Sequence, residues 1–129
     1  MFRVFVFFVG AVFFVYGLAF AIAPDTVFEW VTHSSLPIGP ALIDARATYG
    51  GMSVAIGIVM IVLARSEDTL KLGLVTVAIV NVCMATARTA GITLDGHANT
   101  MMYIYLALEI VAVLIALLGL QQLNKRPAS

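Results

Sequence analysis

The chain has 129 residues, of which 62% are hydrophobic and only 11% charged, against about 45–50% and about 25% in ordinary soluble domains. So few polar groups cannot cover the surface of a soluble protein this small, and seven Lys+Arg balanced by seven Asp+Glu leave no basic patch for a polyanion. A soluble enzyme, a nucleic-acid binder and a disordered chain are thereby excluded, while the single cysteine, Cys83, excludes an internal disulfide and a Cys-based metal site.

The sequence predicts four membrane spans, at about 4–23, 41–64, 70–94 and 101–120. The first is an uncharged run of twenty residues, about 30 Å of helix and the thickness of a bilayer's hydrocarbon core. A cleaved signal peptide is the competing reading, since Arg3 precedes the run and Ala21-Ile22-Ala23 mimics a cleavage site. The apolar stretch is too long for one, and Pro24 follows the supposed cut. The connection from Pro24 to Gly39 has room for a short helix, Asp25 to Val31, lying flat in the interface as an anchor or as a lid over the outer mouth of the bundle.

The second span begins near Pro40, a residue suited to a first helical turn, and this places Asp44 and Arg46 inside its outer turns. The third is preceded by Ser66, an N-cap ahead of Glu67 and Asp68; it contains Arg88 and stops at Asp95-Gly96. The fourth is interrupted only by Glu109. No run alternates as a membrane strand does, and the connections are short. The fold class is therefore an all-α, integral membrane four-helix bundle forming one domain over residues 1–129.

With four spans, Arg3, Arg65, Lys71, Lys125 and Arg126 share one side. The positive-inside rule then makes both termini cytoplasmic, and Trp30, Tyr49, Tyr103 and Tyr105 fall near the outer interface.

Ionisable groups within a span cost about 2.5–3.5 kcal/mol each on insertion scales, so each needs a partner or a purpose. Arg88 lies roughly 10 Å, Glu109 roughly 13 Å and Arg46 roughly 9 Å below the outer helix ends, counting 1.5 Å per residue from Asp95, Thr100 and Pro40. The three thus reach nearly one level. Tyr105 sits one turn outward of Glu109 on its face, where its hydroxyl can share the carboxylate. Asn81, Ala85 and Arg88 form one stripe. Ala47, Gly51 and Ala55, with Gly50 and Gly57, give the second span a small-residue face for close helix packing or a crevice, and Asp44, Asp95 and His97 rim the outer mouth.

Two readings of this cluster follow. In one, an Arg–Glu pair cross-links two helices, because either charge left alone in lipid is costly. In the other, Arg46 and Arg88 grip an anionic or carbonyl head group, with Glu109 orienting them. Two arginines against one Glu leave a positive charge for Asp44, Asp95 or a bound anion to balance. No catalytic residue, metal or cofactor is expected. His33 and His97 read as loop residues with no Glu-x-x-His spacing, and Cys83 reads as a buried, inert thiol. The Phe-rich first span reads as packing bulk or a partner face.

The stretch Asp44-Ala-Arg46-Ala-Thr-Tyr-Gly50-Gly51 with Gly57 following, Arg88 ahead of Asp95-Gly96, and Glu109 in the last span together resemble the bacterial domain-of-unknown-function family 4345. The resemblance implies a small four-helix inner-membrane protein related to DoxX-like proteins, with Arg46, Gly50, Gly51, Arg88 and Glu109 matching the family's polar and glycine pattern. It supplies no activity. The first functional expectation is a protein binding a small amphiphilic or lipid-like molecule in an outer-half polar pocket formed by Arg46, Arg88, Glu109 and Tyr105. The alternatives are an auxiliary or structural subunit of a larger membrane complex, and a small proton-coupled carrier or quinone-linked redox accessory. Expected partners are membrane lipids, such an amphiphile, and a second copy or a larger complex; nucleic acid is excluded.

Overall fold

A computed structural model describes residues 1–125; Arg126, counted above among the basic residues, lies outside the described residues. These are helical without strands: α1 (Phe2–Ile22), α2 (Pro24–Thr32), α3 (Pro40–Leu63), α4 (Glu67–Leu94) and α5 (Thr100–Asn124). All but α2 are long and apolar enough to cross a membrane. Two of the spans extend past the purely apolar runs because polar residues continue the helix. Glu67, Asp68 and Lys71 do so at the start of α4, and Gln121, Gln122 and Asn124 at the end of α5.

Local chemistry sets the ends. Pro24 and Pro40 each occupy the first turn of their helix, where a missing N–H costs nothing. The Ser66 hydroxyl accepts the Asp68 N–H at 3.2 Å, and the Asn99 carbonyl oxygen accepts the Met102 N–H at 3.1 Å, satisfying donors that α4 and α5 would otherwise leave open. Helix α4 stops where Gly96 takes a φ of +68°, a conformation open to glycine at no steric cost. Within α3, Arg46–Gly51 winds as a wider π turn, a feature often found at functional positions.

The contacts divide the chain into two compact units. One holds residues 7–62, hence most of α1, all of α2 and α3 up to Val62. Its α1 and α3 run antiparallel with backbones in near contact. A Cβ on Gly57 would lie 2.6 Å from the Gly10 carbonyl oxygen, and one on Gly17 would lie 2.7 Å from that of Gly50. The pairs Gly10/Gly57 and Gly17/Gly50, each seven residues from the next, form a seam along two facing stripes. Gly51 is on neither: a Cβ there meets nothing within 4 Å, and Ala47 and Ala55 are exposed with it. The packing stripe is therefore Gly50–Ser53–Gly57, a neighbour of the one read from spacing alone. Above the seam, Tyr16, Phe20, Tyr49 and Phe28 form a ring cluster with successive centroids 5.0, 5.4 and 6.5 Å apart.

The other unit holds residues 1–6 and the chain from Leu63 onward. Val6, Leu70, Leu74, Val77 and Ala116 are buried in it, and Gly119 admits the Leu74 and Phe2 side chains, whose nearest atoms would be 2.9 Å from an added Cβ. Arg3 Nε donates to the Ala64 carbonyl at 2.8 Å, and its Nη2 donates to that of Arg65. These carbonyls follow the end of α3, where the helix dipole favours a cation.

Candidate functional site

Helices α4 and α5 are joined by the short turn 95–99, so residues equidistant from it meet. Arg88 is seven residues before Asp95 and Glu109 nine after Thr100, and the structure joins them. Arg88 Nη2 donates to Glu109 Oε1 at 2.7 Å, while Nε donates to Oε1 at 3.1 Å and Oε2 at 3.2 Å. Two nitrogens of the guanidinium fork thus engage one carboxylate, a geometry available to Arg and not to Lys. The third, Nη1, points to Met102 Sδ at 3.5 Å, and the Arg88 Cζ stands 5.2 Å from the centroid of the Tyr105 ring, within cation–π range. The Glu109 side chain is 6% exposed and that of Arg88 is 18% exposed. The pair is a closed, neutral link between two membrane helices.

Arg46 has different partners. Its Nη1 donates to the carbonyls of Ala21 and Ile22, the last turn of α1, so its charge rests on the negative end of a helix. The Arg46 charge is thus stabilised, though not neutralised, by the end of α1. This attachment of Arg46 within its own unit was not foreseen, because helix-end carbonyls are strong acceptors that leave no mark in a sequence. Replacing Arg46 by Gln is expected to cost about 1 kcal/mol and to raise hydrogen exchange in the last turn of α1. Unchanged exchange there would remove Arg46 from the role of cap.

The remaining site residues are placed as follows. Tyr105 faces Arg88 with its ring. Asn81 is buried, and its amide donates to the Val77 carbonyl at 2.8 Å. Asp44 is exposed and accepts the Thr48 hydroxyl at 3.5 Å, one turn along its own helix. Asp95 and His97 are exposed in the α4–α5 turn. Cys83, expected to be buried, is exposed on α4: depth along a span does not fix which face a residue occupies. Sequence reasoning missed Met102, although it lies seven residues before Glu109 on the same face of α5. Among the described residues no three His, Cys, Asp or Glu side chains are placed to hold a metal ion.

A lateral groove of about 470 Å³ runs between α4 and α5 beside the ion pair, lined by Ala85, Thr86, Thr89, Ala90, Thr93, Leu106 and Ile110. The Thr86 and Thr89 hydroxyls donate to the carbonyls of Val82 and Ala85. Their hydrogens are thereby spent within α4, so the groove offers apolar surface and hydroxyl acceptors.

The fold and this site define an all-helical membrane protein with four spans and an interhelical Arg–Glu link. The chain belongs to the family described as a domain of unknown function, DUF4345, whose sequence model matches residues 1–120. No curated protein and no solved structure matches the chain.

Proposed function

We propose that the protein is an auxiliary or structural subunit of a larger membrane complex in the bacterial inner membrane, both termini cytoplasmic, with the Arg88–Glu109 pair fastening α4 to α5. The observation that carries this reading is the closure of the pair. Nε and Nη2 of Arg88 are both taken by Glu109, Nη1 faces Met102, and the flat side of the guanidinium covers Tyr105, so each guanidinium nitrogen has a contact within the α4–α5 pair. The orientation is supported by Arg3, Arg65, Lys71 and Lys125, which occur in the first turn of α1, between α3 and the body of α4, and after α5.

A second reading, binding of a small amphiphile, is favoured by the groove beside the pair, whose volume lies within the range of ligand sites. Native intact-mass measurement in mild detergent separates the two. The expected result is the chain together with further subunits and without a small-molecule adduct. An adduct held by the wild type and lost in Ala85→Leu, which fills the groove, transfers the assignment to the second reading. A bare chain with neither contradicts both.

A further inference from the structure

We infer that α2 and the loop after it form a lipid-contact surface of their own, with Trp30 and Ile38 seated in the bilayer interface. This stands apart from the functional reading above. Helices α1 and α3 are antiparallel, so the connection between them starts and ends on one membrane face, a few residues from two spans already in lipid. Helix α2 is held there by its inner stripe, Pro24, Phe28 and Val31: Pro24 and Val31 are buried, and the Phe28 ring lies 6.5 Å from that of Tyr49.

The rest of α2 is divided. Asp25 and Glu29 share one flank, and Trp30 falls about 140° from Asp25 and about 100° from Glu29 around the helix. Trp30 is 66% exposed and Ile38 94% exposed. On the water side an indole and a β-branched aliphatic that open would both stand in solvent. Tilted with the acidic flank outward, the same helix puts the indole at the headgroup level, where its apolar body and N–H are both satisfied. Ile22 at the end of α1 and Ile43 near the start of α3 are also exposed, so both spans adjoining the connection are apolar-faced at this end, which selects lipid as its occupant. Two carboxylates on the opposite flank make the contact one of apolar insertion, not of attraction to anionic headgroups.

Trp30 is the only tryptophan in the chain, so the wild-type protein carries its own reporter. The protein is reconstituted into phosphatidylcholine vesicles containing lipid brominated at a shallow or a deep acyl position. The expected result is blue-shifted emission that loses more intensity to shallow bromine than to deep bromine and resists aqueous iodide. Quenching by iodide would put Trp30 in water and overturn the inference. Protection from both quenchers would put it against protein, a second copy or another subunit, and overturn it equally. In Trp30→Phe/Ile38→Trp the indole at position 38 is expected to show the same shallow quenching, and iodide quenching there would remove the loop from the surface.

Discussion

Arg88→Ala is expected to destabilise the protein by about 3–5 kcal/mol, the range for removing one partner of a buried ion pair. Arg88→Met/Glu109→Leu is expected to recover most of that loss. The argument turns on what each variant leaves behind. With Arg88 gone, Glu109 keeps a side chain only 6% exposed, and the three donor contacts it received from Arg88 at 2.7–3.2 Å vanish. A carboxylate so enclosed has no water to take their place. The double variant removes both charges and restores apolar volume, which a membrane interior accepts readily.

Magnitude distinguishes this link from routine polar contacts between membrane helices, which average about 0.6 kcal/mol and reach about 1.7 kcal/mol in double-mutant cycles. The cycle, measured by unfolding in mixed micelles, is expected to give a coupling above about 2 kcal/mol. Arg88→Lys keeps the charge and loses the fork, so it should fall between the wild type and Arg88→Ala. An Arg88→Ala protein as stable as the wild type would end the fastening role and return Arg88 to the ligand-binding reading.

Much of the fold was legible in the sequence because membrane spans are written in composition. Runs of apolar residues with Pro40, Ser66 and Asp95-Gly96 as punctuation mark helices that the structure places at Pro40–Leu63 and Glu67–Leu94. The meeting of Arg88 with Glu109 was legible too, since two helices joined by a tight turn bring equal depths together. What escaped is what backbone atoms do. The carbonyls of Ala21 and Ile22 that hold Arg46, and those of Ala64 and Arg65 that hold Arg3, belong to residues whose side chains say nothing about it. The choice of stripe on α3 escaped for a related reason. Gly50 and Gly51 are adjacent and equally small, and only the position of α1 decides that Gly50 is covered and Gly51 open. The partners of that stripe, Gly10 and Gly17, were hidden in a run of aromatic and aliphatic residues, yet their seven-residue spacing equals that of Gly50 and Gly57 and was the available signal.

That seam yields the second large effect, a graded alanine series in which Gly57→Ala and Gly17→Ala lose about 2 kcal/mol or more, Gly10→Ala loses less, and Gly51→Ala gains stability. Alanine is favoured over glycine in a helix by about 1 kcal/mol, so contact must outweigh propensity wherever the sign reverses. At Gly57 the new Cβ would stand 2.6 Å from both the Gly10 carbonyl oxygen and the Phe14 backbone nitrogen; at Gly17 it would stand 2.5 Å from the Val54 nitrogen. Backbone atoms cannot rotate away as a side chain can, so α1 and α3 must separate and lose dispersion contacts along the seam. At Gly10 the nearest atoms are the Met60 Cβ at 2.9 Å and the Gly57 carbonyl oxygen at 3.0 Å, a smaller displacement. At Gly51 nothing lies within 4 Å, leaving propensity alone. Unfolding of the four variants in one detergent gives the order directly. Equal effects at Gly57 and Gly51 would mean that the backbones of α1 and α3 are not in contact. Those two helices close at a distance that no side chain permits, and glycine at Gly10, Gly17, Gly50 and Gly57 is what lets a chain so poor in polar groups pack them together.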